Sequence, residues 1–293
     1  MRGMPLGSSS ANFGREFLPE WLPIIEQSGI EYLELVFLTW HFNTEDEELI
    51  GKVKEFFKGP RELKLWSCHL PTGPKWDIST LDDGMRRLIL FGLSYHLDLA
   101  AEFGAGIVVV HPSAEPIKDE ERERRLEAAR ESLAEIERMC KERGLRMAVE
   151  TLPRSCLGNT PEELLRLLEG LDEEVTGVCL DSNHANLNGD LVDAVRKLGN
   201  RIITLHISDN DGKDERHWLP FEGVIDWKGF ISALQEVGYS GPFLYEAKVK
   251  AQTPHRVAEI LKRNYKKVMT SPSKGSEGPP RRPERPAERR RAV

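Results

Sequence analysis

Eight short β-rich runs, each followed by an amphipathic helical pattern, predict a (β/α)8 barrel. Two further observations narrow the choice. Strict alternation returns the chain to the same end of the sheet after every helix, which requires parallel pairing. Eight such units in roughly 270 residues fit a closed barrel better than a doubly wound sheet, which more often has about five to seven strands.

Strands are expected at residues 4–8, 30–37, 63–69, 106–111, 145–150, 177–181, 202–207 and 242–246, where apolar and β-branched residues cluster. Helices are expected at 16–28, 46–58, 81–103, 119–143, 161–169, 191–198, 227–237 and 254–269. The clearest is 119–143, where Leu126, Ala129, Leu133, Ile136 and Met139 recur at three and four residues among charges. Asn159, Thr160 and Pro161, followed by Glu162 and Glu163, supply a cap, a first-turn proline and early acids. Gly29, Gly104, Gly144 and Gly238 stand where a helix must stop before the next strand.

These units make one domain, 1–270. Residues 271–293 hold seven Lys or Arg against three Glu, with many prolines and no large apolar side chain, so they are expected to form a disordered basic tail. A solvated appendage is the simpler reading of it and a tether for an anionic partner the sharper one. The formal net charge is −7 despite that tail, so the barrel itself is acidic.

No run of about 18 apolar residues is present to span a membrane, and the amino terminus is too short and glycine-rich for a signal sequence. Cys68, Cys140, Cys156 and Cys179 form no C-x-x-C pair, which argues against a disulfide framework or a zinc ribbon. A cytoplasmic protein is expected. Cys68 and Cys179 are read as small buried residues.

The strand ends carry the chemistry. The third run closes on His69, the fourth on His111, the fifth on Glu150, the sixth on Asp181 with His184 beyond it, the seventh on His206 and the eighth on Glu246. In a barrel these six ends share one rim. Imidazoles and carboxylates converging there would repel or stay unpaired without a cation. Glu150, Asp181, His206 and Glu246, one from each of the last four strands, would surround one divalent ion. A ligand set without cysteine suits Mn, Mg, Co or Zn and does not choose among them. Trp40, Trp76 and Trp218 fall in strand-to-helix loops, where they could stack on a sugar face, and Trp227 is read as a helix anchor. Arg154, Lys213 and Arg216 are candidates for an anionic substituent of the substrate.

The motifs HLP, VVVHPS, AVET, LDSNH, LHISDNDGKDERHWLP, GVIDW and GYSGPFLYEA resemble the sugar phosphate isomerase/epimerase group of xylose isomerase-like TIM barrels, which also contains the endonuclease IV-type AP endonucleases. The resemblance runs over about residues 4–265. It implies that Glu150, Asp181, His206 and Glu246 bind the catalytic metal and that Glu150 and Glu246 are the acid/base pair. A divalent ion chelating a carbonyl and its neighbouring hydroxyl would stabilise an enediolate. Two carboxylates on opposite faces could then move the proton, inverting a centre or shifting the carbonyl. The expected activity is isomerisation or epimerisation of a small sugar, sugar phosphate or related hydroxy-carbonyl compound. His184 is expected to hydrogen-bond a substrate oxygen, with His69, His111 and His217 lining the same pocket.

The chain departs from this pattern at two places. Ketose 3-epimerases of the group place an arginine six residues after the seventh-strand histidine, where this chain has Gly212. The usual P-G-x-G before I-D-W becomes Pro220, Phe221, Glu222 and Gly223.

The rival is abasic-DNA cleavage at a trinuclear zinc site. Its ligands would be His69, His111 and Glu150; then Glu150, Asp181, His206 and Glu246; then His184, His217 and either Asp214 or Glu215. The nuclease D-x-H is altered here, and an acidic body disfavours a nucleic-acid partner. A small carbohydrate-like substrate is the expected partner. The oligomeric state is open, a homo-oligomer being one outcome.

Overall fold

The computed structural model describes residues 3–251 and 253–270. The tail expected over 271–293 lies outside them. Eight parallel strands run β1 (Leu6–Ser9), β2 (Tyr32–Val36), β3 (Lys64–His69), β4 (Ile107–Val110), β5 (Arg146–Glu150), β6 (Thr176–Asp181), β7 (Ile202–His206) and β8 (Phe243–Tyr245). Their order, β7-β6-β5-β4-β3-β2-β1-β8, is sequential around a cylinder. The seam is closed by a parallel bridge between Ile207 and Tyr245. Ile207 N donates to Leu244 O at 2.9 Å and Glu246 N to Ile207 O at 3.0 Å across it.

The helices are α1 (Leu22–Gln27), α2 (Glu47–Phe57), α3 (Asp83–Glu102), α4 (Arg122–Arg143), α5 (Pro161–Leu167), α6 (Ser182–Asn188), α7 (Leu191–Leu198), α8 (Trp227–Glu236) and α9 (Pro254–Thr270). Their starts are chemically specified. Asp46 caps α2 by accepting from Glu48 N and Leu49 N, and Thr160 caps α5 by accepting from Glu163 N with Pro161 in the first turn. α4 stops at Gly144, whose φ of 68° suits a residue without a Cβ.

Two elements differ from expectation. The first helix begins at Leu22 rather than residue 16, because Pro19 opens a separate 3-10 turn and Pro23 sits in the first turn of α1. α6 was not expected. It follows β6 directly, and Asp181 itself caps it, accepting from His184 N at 2.8 Å.

The interior is layered as alternation along each strand requires. Two bulges adjust it. Between β2 and β3 the pairing passes from Leu33↔Leu65 to Glu34↔Ser67, skipping Trp66; between β6 and β7 it passes from Val178↔Ile202 to Cys179↔Thr204, skipping Ile203. Leu65 and Ile202 pack in the outer helix-facing core, whereas Trp66 and Ile203 join the inner cluster of Ile107, Val109, Ala148 and Cys179. The extra residue lets a strand face outward at its start and still point the polar residue at its end into the barrel. Among the described residues, no helix is long and apolar enough to cross a membrane.

Candidate metal centre

His69, Glu150, Asp181 and His206 are the last residues of β3, β5, β6 and β7. His111 and Glu246 follow the last residues of β4 and β8. All six reach one end of the barrel. One ligand atom from each of Glu150, Asp181, His206 and Glu246 lies within 4.8 Å of the others. His69, His111 and Glu150 form a second such set and His184, Glu215 and His217 a third, while Cys179 joins Glu150 and His206 in another.

Glu150 is the hub. Its Oε2 lies 3.1 Å from His69 Nε2 and 3.0 Å from His111 Nε2. Its Oε1 lies 3.1 Å from His206 Nδ1 and 3.5 Å from His184 Nδ1. His206 Nδ1 is also 3.2 Å from Glu246 Oε2. The two glutamates differ in access, with side chains 2% exposed for Glu150 and 22% for Glu246.

Hydrogen-bond chemistry fixes where protons sit. A carbonyl can only accept, so His69 Nδ1, 2.8 Å from Leu70 O, and His184 Nδ1, 2.9 Å from Thr151 O, each carry a proton. His69 is left with its Nε2 lone pair aimed at a carboxylate oxygen. His206 repeats the pattern in reverse: Nε2 faces the buried carboxylate of Glu34, and Nδ1 is left facing Glu150 and Glu246. Between such a nitrogen and a carboxylate only a proton or a metal cation can sit favourably.

The titration behaviour follows. Burial raises the Asp181 carboxyl to about 6. Burial acts the same way on Glu150 and Glu246, but the facing imidazoles, His206 foremost, hold Glu150 well below the ordinary carboxylate range and bring Glu246 down to about 2. Burial acts to lower the histidines. It prevails at His111; at His69 the hydrogen bond and charge of Glu150 together with the charge of Glu34 outweigh it, raising that imidazole to about 9. At His184 burial is outweighed by Asp181 and Glu150, and at His206 by the surrounding carboxylates, so both stand well above the usual value.

The residues fit a divalent ion. Asp181 is fully buried and spends Oδ1 on the cap of α6, while Oδ2 has no hydrogen-bond partner. An orphaned carboxylate oxygen inside a set of two further carboxylates and a site-facing imidazole nitrogen is a ligand position.

Of the two acids weighed for the third set, Glu215 is the one that lies with His184 and His217. Glu215 Oε2 lies 3.6 Å from His184 Nε2 and 3.7 Å from His217 Nε2, and its carboxyl is held well below the ordinary range, by His184 first. Asp214 instead accepts from Glu215 N and lies 3.7 Å from Arg216. Arg154 pairs with Glu115 and Glu215, joining the loop after β5 to the loop after β7.

The remaining candidates are placed apart from the ligand sets by their contacts. Arg216 is paired to Asp211 at 2.9 Å and lies over the Trp218 ring, and Lys213 is exposed. Trp40 is exposed beside His41, and Trp76 packs edge-on against His96. Gly212 adopts φ 71°, a conformation an arginine would strain to reach. Phe221 takes φ 72° at the position where the related pattern has glycine, with Lys267 Nζ 4.3 Å from its ring centroid.

Sequence reasoning passed over two residues. Glu34 lies inside the apolar run of β2, and its one signal was a lone acid in an otherwise apolar strand. Asp209 is fully buried and its carboxylate accepts from Phe221 N, Gly223 N, Ile225 N and Trp227 Nε1, which fixes the loop after β7. Gly223 is required there, since a Cβ would come 2.1 Å from Asn210 O.

Comparison with known proteins is consistent with this architecture. The chain is 31% identical over 190 residues to an uncharacterized protein of Methanocaldococcus jannaschii, covering 63% of this chain and 64% of that one. Of the next two curated relatives the matched region spans only 51% and 42%. It is 25% identical over 258 residues to a D-psicose 3-epimerase of Enterocloster bolteae, covering 83% and 82%, and 24% identical over 245 residues to a probable endonuclease 4 of Persephonella marina, covering 77% and 84%. The structure of a D-tagatose 3-epimerase-like protein superposes with a TM-score of 0.78 at 26% identity, covering 92% of this chain and 99% of that one. The model of one family, described as xylose isomerase-like TIM barrel, matches residues 22–266, and the chain belongs to that family.

Proposed function

We propose that the protein is a divalent-metal-dependent isomerase or epimerase of a small sugar, sugar phosphate or related hydroxy-carbonyl compound. The observation that carries this reading is the partnerless Asp181 Oδ2 set among Glu150, His206 and Glu246 at the open end of the barrel. Asp181 and His206 hold the ion, with Glu150 and Glu246 completing its ligands; Mn, Mg, Co and Zn all suit such a set. When bound, the ion supplies Lewis-acid stabilisation of the charge that builds on a carbonyl oxygen as a neighbouring C–H is broken.

The chain's own residues do the rest. Glu246, on the more exposed side, exchanges a proton with one face of the substrate carbon, and Glu150 with the other. His184, whose Nδ1–H is committed to Thr151 O, has its Nε2 3.6 Å from Glu215 Oε2 and offers that nitrogen to a substrate oxygen in place of Glu215. His69, His111 and His217 line the same space. Trp40, Lys213 and Arg216 are the further substrate-contacting groups of this proposal. Buried free cysteines suit a cytoplasmic setting.

The test is proton exchange. Metal-loaded protein is incubated in deuterated water with ketoses, inosose-type cyclitols and hydroxypyruvate-like compounds, and label next to a carbonyl is read by NMR. Absence of label across the panel, with metal bound, would count against the proposal.

A second reading is favoured by one observation: the two further imidazole–carboxylate sets beside the first, as phosphodiester hydrolysis at several zinc ions would need. Three ions per chain with incision of an abasic duplex would support it. One ion with exchange at carbon supports the first.

A further inference from the structure

We infer that Glu34 is a positioning residue for the metal centre: from one layer below the rim it accepts the Nε2 proton of His206, fixing the ring's rotation and retaining that proton, so that Nδ1, between Glu150 and Glu246, is the nitrogen presented to a cation. The inference rests on the reading that this cluster holds a divalent ion, and it assigns a role to a residue that does not reach the ion.

Glu34 comes from the far wall. β2 is separated from β7 by β8 and β1 around the cylinder, so its side chain crosses the interior to meet His206. His206 Nε2 lies 3.0 Å from Glu34 Oε1 and 3.2 Å from Oε2. Ser67 Oγ donates to Oε2 at 2.7 Å from the adjacent strand, and the bulge at Trp66 is what brings Ser67 into register with Glu34. Both Glu34 and His206 are fully buried.

A carboxylate sealed inside the barrel is costly unless it does something an apolar residue could not. Turning one imidazole is such a task. Without an acceptor at Nε2, His206 could place its proton on Nδ1, directly against the incoming cation. With Glu34 in place the proton is drawn to the far side, and the ring becomes a more basic ligand. The arrangement also separates His206 from its neighbours. His69 and His184 have their Nδ1 protons fixed by carbonyls and can bind an ion only through Nε2, so His206 alone of the three offers Nδ1.

The test reads the ring directly. In wild-type protein labelled with 15N-histidine and loaded with zinc, we expect one imidazole bound through Nδ1 with its proton on Nε2. Glu34→Gln, which keeps the size of the side chain and its bond from Ser67, is expected to weaken zinc binding by about 10- to 100-fold by calorimetry, with an unchanged far-UV spectrum. A wild-type spectrum with no Nδ1-bound imidazole overturns the inference even if the variant does not fold. So does a folded variant that binds zinc as tightly as wild type. A wild-type chain that binds no divalent ion overturns the underlying reading as well, so the two failures are distinguishable.

Discussion

The indole Nε1 of Trp227 donates to Oδ2 of Asp209 at 2.8 Å, tying the first turn of α8 to the segment that leaves the barrel just after His206. The same carboxylate gathers three backbone N–H groups of the intervening loop. Among the described residues its hydrogen-bond partners are backbone amides and an indole, with no cationic side chain. Asp209→Asn would set an amide nitrogen against those donors. The expected cost is about 2–4 kcal/mol, seen as a lower urea midpoint, with substrate affinity falling more than metal affinity.

Asp181→Asn separates folding from metal binding. Asparagine caps a helix as well as aspartate does, so α6 should persist. Burial raises the Asp181 carboxyl to about 6, which means the folded metal-free protein binds this proton more tightly than the unfolded chain. Stability from this group is therefore present at low pH and lost as pH climbs through about 4 to 6, by roughly 2–3 kcal/mol. Above pH 7 the metal-free variant should melt higher than the metal-free parent, yet gain nothing from added zinc or manganese. A variant that still gains stability from metal would remove Asp181 from the ligand set.

Metal binding should release a proton. Because the carboxylates around it raise His206 well above its usual value, its site-facing nitrogen is protonated near neutrality in the metal-free chain. A cation must displace that proton. Apparent affinity should rise with pH between about 6.5 and 8.5, approaching tenfold per pH unit for one displaced proton, and calorimetry in buffers of different ionisation enthalpy should register the release. A pH-independent affinity over that range would contradict the assignment.

Glu246→Gln should lower solvent exchange at carbon by about 10²- to 10⁴-fold. Deleting residues 271–293 should leave that rate unchanged. The reverse pattern would favour a recruiting scaffold over an enzyme.

Gly177→Ala tests the barrel rather than the site. A Cβ there would stand 2.6 Å from Ile203 Cγ2 and 2.7 Å from Arg201 O, and the backbone oxygen cannot simply rotate away. Overpacking of this kind costs about 1–3 kcal/mol, readable as a lower melting temperature with metal stoichiometry retained.

The barrel was legible because an apolar run followed by an amphipathic helix is a local pattern, and eight of them in order leave little choice of topology. The convergence of Glu150, Asp181, His206 and Glu246 followed from that topology alone. What escaped depended on contacts far apart in sequence. Glu34 and His206 meet from opposite walls, and nothing near Glu34 marks it except its isolation. The bulges at Trp66 and Ile203 shift the inward face by one residue, which simple alternation hides. α6 escaped because its Ser, Asn and His residues show no apolar period, although Asp181 and His184 at three-residue spacing form the cap that starts it. The choice between Asp214 and Glu215 turned on a loop conformation that spacing does not encode.

Glu150 turns its two oxygens toward different sets of histidines, Oε2 to His69 and His111 and Oε1 to His206 and His184. Two neighbouring candidate ligand sets thus share a single anchored carboxylate, so a cation held in one would set the charge felt by the other.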